Sequence, residues 1–447
     1  MRILLLCHTF NSLSQRLHVE LRELGHVVSV ELDIHDDLTR QAAARFQPDV
    51  IVAPFLKRAI PADIWQTVLT LVVHPGIRGD RGPNALDWAI LDGERRWGVT
   101  LIEARAEMDA GPVWAWREFE MRPARKSSLY RHEVTEAAVA CVMEALARIE
   151  AGRHEPLMAG NCGEGYPRGP VPAERRMLDP KRMTAREALT IIRASDGDPG
   201  AGLVLGTTLY RVFDAQIADD IEGEPGCFAG RGEVGLALAF REGALWIGHA
   251  CKAGRRQLKL PATLVFEGAD RLSTLRGPER VTYSEADGVG IIRFSFYNGA
   301  MSTMDCEAFR RAVTAARRRP LKVLLMIGSS DCWSNGIHLS VIENADSAAD
   351  ESWANINAMN DLVREIILAD DRIVLAGLTG NAGAGGVFLS LAADRVLMRE
   401  GVILNPHYKD MGNLYGSEYW TYLLPMRVGE ARARTVTQAR LPMGIDE

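Results

Sequence analysis

What the chain lacks narrows its class before any motif is read. Its seven cysteines are scattered, with no CxxC pair and no pairing spacing. That pattern argues against a disulfide framework or a zinc site and for reduced thiols in a cytoplasmic setting. No apolar run is long enough to cross a bilayer, so no membrane partner is expected. The opening Arg2-Ile3-Leu4-Leu5-Leu6-Cys7 is followed at once by polar Asn11, Ser12, Ser14 and Gln15, which suits a buried first strand better than a signal peptide. Basic excess is missing too. A formal net charge of -6 leaves no electrostatic footprint for nucleic acid, and the clusters Arg255-Arg256 and Arg317-Arg318-Arg319 read as solvated surface. The first strand-to-helix turn has no GxGxxG, which weakens a dinucleotide reading.

What is present is a globular composition, 47% hydrophobic and 25% charged over 447 residues, enough for two or three domains. The apolar run at 2–7, the amphipathic stretch Ser14 to Leu24, Gly25 and the run His26–Val30 form a βαβ unit. Pro48 to Ala53 and Leu69 to Val73 predict further buried strands, and the second delivers His74 to its carboxyl end, where α/β sheets bind ligands. Ser127-Ser128 is expected to cap a long helix that ends at Gly152. Residues 153–183 are rich in Pro, Gly and charge and read as a linker. Gly-punctuated strands over 184–272 suit a small barrel. A second βα-repetitive region spans 278–447, with helices at about 305–318 and 351–369.

Two constellations carry chemistry. The first is His74-Pro75-Gly76, Arg78-Gly79-Asp80-Arg81-Gly82-Pro83, then Trp97-Gly98-Val99-Thr100 and Met108-Asp109-Ala110-Gly111. A carboxylate such as Asp109 beside an imidazole such as His74 fixes its tautomer and suits proton shuttling at a carbonyl. A lone histidine at a strand end is also an ordinary structural residue, and chemistry alone leaves both readings standing. The second is a pair of Gly-bearing loops, Gly328 to Ile337 and Gly380 to Gly386. Each is readable as a tight turn. Together they could aim paired N–H groups at a thioester carbonyl.

In order and spacing, the first constellation resembles the 10-formyltetrahydrofolate-using formyltransferases, over residues 1–152 with 184–272 as their C-terminal barrel. The resemblance implies that His74 and Asp109 drive attack on the formyl carbon and that Phe55 and Lys57 lie where the pterin is cradled. The family's catalytic Asn falls at Val72. Loss of such an oxyanion donor raises a barrier by about 2.7–4 kcal/mol, which a thiol nucleophile could offset better than an amine. The paired loops resemble the crotonase superfamily, which puts the oxyanion donors at the N–H groups of Ile337 and Gly385. The two hydratase glutamates fall at Phe388 and His407, so hydration is not expected. In their place stand Asn405-Pro406-His407-Tyr408-Lys409-Asp410-Met411-Gly412 and Leu414-Tyr415-Gly416-Ser417-Glu418-Tyr419-Trp420, with Tyr408 and Glu418 as an acid and base.

The two halves joined, with these departures, resemble the HypX/HoxX hydrogenase-maturation proteins over nearly the whole chain. The resemblance implies formyl transfer from 10-formyltetrahydrofolate to coenzyme A, then decarbonylation of formyl-CoA to the carbon monoxide that ligates [NiFe]-hydrogenase iron. It also implies coenzyme A contacts at Gln15, Arg131 and Asn298, maturation proteins as partners, and no metal. Crotonases continue into C-terminal helices over the active site, and a region ending at Glu447 is expected to lack them. Two other functions remain: a formyltransferase acting on an amine, and a non-catalytic assembly factor that binds coenzyme A or folate.

Overall fold

The computed structural model describes residues 1–254, 258–408 and 416–446. The chain divides into two compact units: Met1–Thr207 with Arg211–Ala215, and Thr208–Tyr210 with Gln216–Glu447. The basic pair Arg255-Arg256 and the motif residues Lys409 to Tyr415 lie outside the described residues.

The first unit is built on β1 (Arg2–Cys7), β2 (Val27–Leu32), β3 (Val50–Phe55), β4 (Thr70–His74), β5 (Arg96–Glu103) and β6 (Val113–Glu120), in the order β2-β1-β3-β4-β5-β6. The first four in that order are parallel, and β5 pairs antiparallel with both β4 and β6. Alternation along β1 explains its continuous apolar run. Ile3, Leu5 and Cys7 enter one core, and Leu4 and Leu6 enter the core on the opposite face. Helix α1 (Ser12–Glu23) brings Leu13, Leu17 and Leu21 to the first of these, at four-residue spacing. Asn11 caps it by accepting the Ser14 N–H, and Gly25 follows its end with φ +84°.

Two expectations change in this unit. Ser127 and Ser128 sit inside a helical turn, Lys126–Leu129, that runs through a π-turn, Tyr130–Val134, into the helix Thr135–Glu150. The stretch 153–183 is not a free tether. Met158 bridges to Val113 and Pro167 to Arg81, while Asn161 is fully buried. Its prolines and glycines leave little regular structure, a 3-10 turn at Ala173–Arg176 and a two-residue strand at Met177–Leu178, without preventing side-chain anchoring.

In the second unit, Phe228–Arg231, Leu236–Ala239 and Ala244–Lys252 form an antiparallel meander. Beyond it, Val281–Ala286 and Val289–Phe294 make a hairpin turned at Asp287-Gly288, both in the left-handed region. Val323–Ile327, Ile373–Leu378 and Arg395–Met398 continue that sheet in parallel. Helices Thr303–Arg317 and Ala348–Ile367 lie between the strands in sequence, and both contribute to the core under the sheet through Phe309, Val313, Met359 and Val363. Two short pairings, Ala300–Met301 with Gly336–Ile337 and Ala382–Gly383 with Leu404–Asn405, stand apart from the main sheet. After Glu418 come two helices, Trp420–Val428 and Glu430–Gln438. Among the described residues no helix is long and apolar enough to cross a membrane.

Candidate active sites

In the first unit, a cavity of about 700 Å³ opens at the carboxyl edge of the sheet, with Phe55, Lys57, Val72, His74 and Asp109 on its wall. The structure therefore brings four sequence-expected site residues together, with Val72, the position of the missing Asn, beside them. Phe55 meets Tyr130 edge to face at 6.3 Å, and the exposed Lys57 ammonium lies 3.6 Å from Asp198.

His74 is buried between two acids. Its Nδ1 lies 3.6 Å from Asp109 Oδ2, and its Nε2 lies 2.9 Å from Asp80 Oδ2. The shorter contact corrects the expectation that Asp109 holds the imidazole. Asp109, in the left-handed region at φ +56°, instead accepts the Gly82 N–H at 3.0 Å. Asp80 is 1% exposed, and its other oxygen meets Arg168 Nη2 at 2.9 Å. Gly76 must be glycine for a local reason: a Cβ there would stand 2.4 Å from His74 Nε2 and 2.5 Å from Asp80 Oδ2. Trp97 Nε1 donates to the Pro75 carbonyl and Thr100 Oγ1 to the Gly76 carbonyl, which pins this turn.

Asp80, Asn161 and Arg168 were not singled out from sequence. Asp80 lies within the quoted Arg78-to-Pro83 segment, so a signal was present. Asn161 and Arg168 lie in the Pro- and Gly-rich stretch, where no spacing marks them. Gln15 donates from Nε2 to the Phe10 carbonyl, and Arg131 belongs to the π-turn; neither lines this cavity.

In the second unit, a cavity of about 590 Å³ is lined by Asn298, Asn335, Ile337, His338, Ala384, Asn405 and His407, among others. The two glycine loops meet there. A Cβ on Gly336 would stand 3.2 Å from Gly385 N, and the Gly383 N–H donates to the Ser334 carbonyl at 2.9 Å. Gly385 opens the helix Gly385–Leu391, after Ala384 at φ +45°. Burial pushes the His338 imidazole down to about 4, so the ring is neutral at pH 7.

Tyr408 and Glu418 form one buried pair, set behind Gly385 and not on the wall of that cavity. The Tyr408 O–H donates to Glu418 Oε2 at 2.7 Å, and the Ser417 N–H to the same oxygen at 3.1 Å. Glu418 is 2% exposed, and its own N–H donates to Asn360 Oδ1 at 2.8 Å. Burial raises the Glu418 carboxyl above its ordinary value, against the hydrogen bonds from Tyr408 and Ser417. Burial also raises the Tyr408 phenol, reinforced by the Glu418 charge. Phe388, at one hydratase-glutamate position, is fully buried and stacks on the Tyr408 ring at 5.6 Å. His407, at the other, lines the cavity. Asn360 carries no sequence signal as a site residue.

Residues 29–146 match the family model described as formyl transferase. The chain is 56% identical to the hydrogenase maturation factor HoxX of Bradyrhizobium diazoefficiens, over 100% of this chain and 80% of that protein. The crystal structure of HypX from Aquifex aeolicus in complex with tetrahydrofolic acid superposes with a TM-score of 0.96 at 46% identity, covering 100% of this chain and 80% of that one. A methionyl-tRNA formyltransferase of Lactobacillus delbrueckii subsp. bulgaricus is 31% identical over 31% of this chain and 44% of its own length.

Proposed function

Because the chain belongs to the HoxX/HypX family of hydrogenase maturation factors, we propose that it transfers a formyl group from 10-formyltetrahydrofolate to coenzyme A and then decomposes formyl-CoA to carbon monoxide and free thiol. The carbon monoxide would serve as a ligand of hydrogenase iron, and maturation proteins in the cytoplasm would be its partners. The observation that carries the first step is His74, hydrogen-bonded to Asp80 and 3.6 Å from Asp109, on the wall of a cavity large enough for a pterin. Binding of tetrahydrofolic acid by the Aquifex aeolicus relative supports the donor.

In that step His74 takes the thiol proton, the sulfur attacks the formyl carbon, and the carbon–nitrogen bond to N10 breaks. His74 returns the proton to N10, which leaves a formyl thioester and tetrahydrofolate. Val72 offers no side-chain donor to the developing oxyanion, which favours a thiol over an amine. Gln15, Arg131 and Asn298 are the proposed coenzyme A contacts.

In the second step the thioester carbonyl lies against the N–H groups of Ile337 and Gly385. Glu418, enclosed and raised in basicity, takes the formyl hydrogen as a proton. The carbon–sulfur bond breaks, carbon monoxide leaves, and the thiolate regains a proton. Tyr408 either delivers that proton or anchors the carboxylate. Incubation with 10-formyltetrahydrofolate and coenzyme A over deoxyhaemoglobin tests the whole reading. The expected result is the carboxyhaemoglobin spectrum with one tetrahydrofolate formed per carbon monoxide. Absence of both formyl-CoA and carbon monoxide would overturn it, and formylation of an amine at a higher rate would install the amine formyltransferase in its place.

A further inference from the structure

We propose that Asp80, fixed by Arg168 and Asn161, keeps the His74 proton on Nε2 and so makes Nδ1 the working base of the first site. The inference rests on the formyl-transfer reading and assigns roles to three residues outside the His-and-Asp pair. A carboxylate only accepts hydrogen bonds, so the 2.9 Å contact of Asp80 Oδ2 requires a proton on His74 Nε2. In the neutral ring Nδ1 then carries a lone pair. Asp109 lies 3.6 Å from that nitrogen, beyond hydrogen-bond distance, and is engaged by the Gly82 N–H. Nδ1 is therefore free to take a thiol proton, and the imidazolium that results sits between two negative groups.

The segment expected as a linker supplies what holds Asp80. A lone carboxylate at 1% exposure is costly, and Arg168 neutralises it at 2.9 Å. The Arg168 guanidinium is itself fixed, with Nη1 on Asp92 at 3.0 Å and the rings of Trp97 and Tyr166 at 5.4 and 5.1 Å. Asn161 sets the spacing of the two acids. Its Nδ2 donates to the Asp80 carbonyl at 3.1 Å and to the Asp109 carbonyl at 2.9 Å, while its Oδ1 accepts the Gly79 N–H at 2.7 Å. One buried amide thus ties together both loops that face the imidazole. Asp80, Asn161 and Arg168 are positioning residues; none of them lines the cavity.

The test reads the tautomer directly. Long-range proton–nitrogen correlation spectra of histidine-labelled protein, with the His74 signals assigned by their loss in His74→Gln, are expected to show a protonated Nε2 and a bare Nδ1 near neutral pH. A proton on Nδ1 in the wild type would overturn the proposal without recourse to any variant. In Asp80→Asn the proton is expected to move to Nδ1, where Asp109 becomes the acceptor. The turnover number should then fall by about 10⁴-fold, the loss seen when the Asp of a serine-protease triad becomes Asn, with KM for 10-formyltetrahydrofolate little changed. Arg168→Lys keeps the cation but loses the bridge from Asp80 to Asp92, and should lower turnover by less. Asp80→Asn with an unchanged tautomer and turnover would sink the assignment. If the wild type forms no formyl thioester, the formyl-transfer reading fails, while the spectrum still decides the tautomer.

Discussion

Replacing Tyr408 by Phe removes one oxygen and leaves the ring stacked on Phe388, so the change isolates the hydrogen bond to Glu418. Its size depends on the charge of the acceptor. A hydrogen bond to a neutral carboxylic acid contributes about 0.5–1.5 kcal/mol, and one to a carboxylate about 1.5–3 kcal/mol. Burial raises the folded Glu418 carboxyl above its ordinary value of 4.5. Between that value and the raised one, the folded chain holds a proton that the unfolded chain has released, so stability falls as pH rises through this window. The Tyr408 O–H opposes the rise. Its removal widens the window and so enlarges the total fall. Tyr408→Phe should therefore cost about 1 kcal/mol at an acid pH where Glu418 is protonated and about 2–3 kcal/mol at an alkaline pH where it is ionised. Urea unfolding followed by tryptophan fluorescence at the two pH values measures it, read at the transition that the substitution displaces. A loss equal at both ends to within about 0.5 kcal/mol would refute a buried, titrating Glu418.

Glu418→Gln should still make formyl-CoA but release little carbon monoxide, so mass spectrometry of the quenched reaction should find the thioester accumulating; an unchanged yield in both this variant and Tyr408→Phe refutes the assignment. Gly385→Ala places a methyl 2.3 Å from Glu418 Oε1 and should give the same accumulation by displacing the carboxyl. His74→Ala and Asp109→Asn should each abolish folate-dependent transfer, with melting temperatures within about 5 °C of wild type; activity retained in the folded fraction would assign them to structure. Val72→Asn should improve transfer to amines by no more than a few-fold, and a gain of orders of magnitude would mark this half as a degraded amine formyltransferase.

The α/β architecture was legible because its signals are local. The apolar run at 2–7 reads as a buried strand from its own residues, and Asp287-Gly288 marks a hairpin without reference to anything distant. The meeting of His74 with Asp109 was legible only through the order of a longer pattern. Asp80 was visible as a residue and invisible as a partner, because six residues along an irregular loop leave its direction undetermined. Asn161 and Arg168 show the limit most clearly. They reach Asp80 from 81 and 88 positions away through single side chains, and no periodicity records such a contact. Composition marks their segment as a linker, but a Pro- and Gly-rich backbone says nothing about burial.

That segment also bears on how the protein can be taken apart. The region matched to the formyl transferase family ends at residue 146, yet the energetic boundary lies further on. Trp88 Nε1 donates to the Gly169 carbonyl, the Val171 N–H donates to Asn84, and Arg176 pairs with the buried Asp87 at 2.6 Å. A fragment cut at residue 152 would strip Arg168 from Asp80 and leave Asp87 only Lys126, and breaking a buried ion pair from one side costs about 3–5 kcal/mol. Modularity here follows charge neutralisation and not family boundaries: a transplanted formyl-transfer half must carry its sequence through Arg176 to arrive intact.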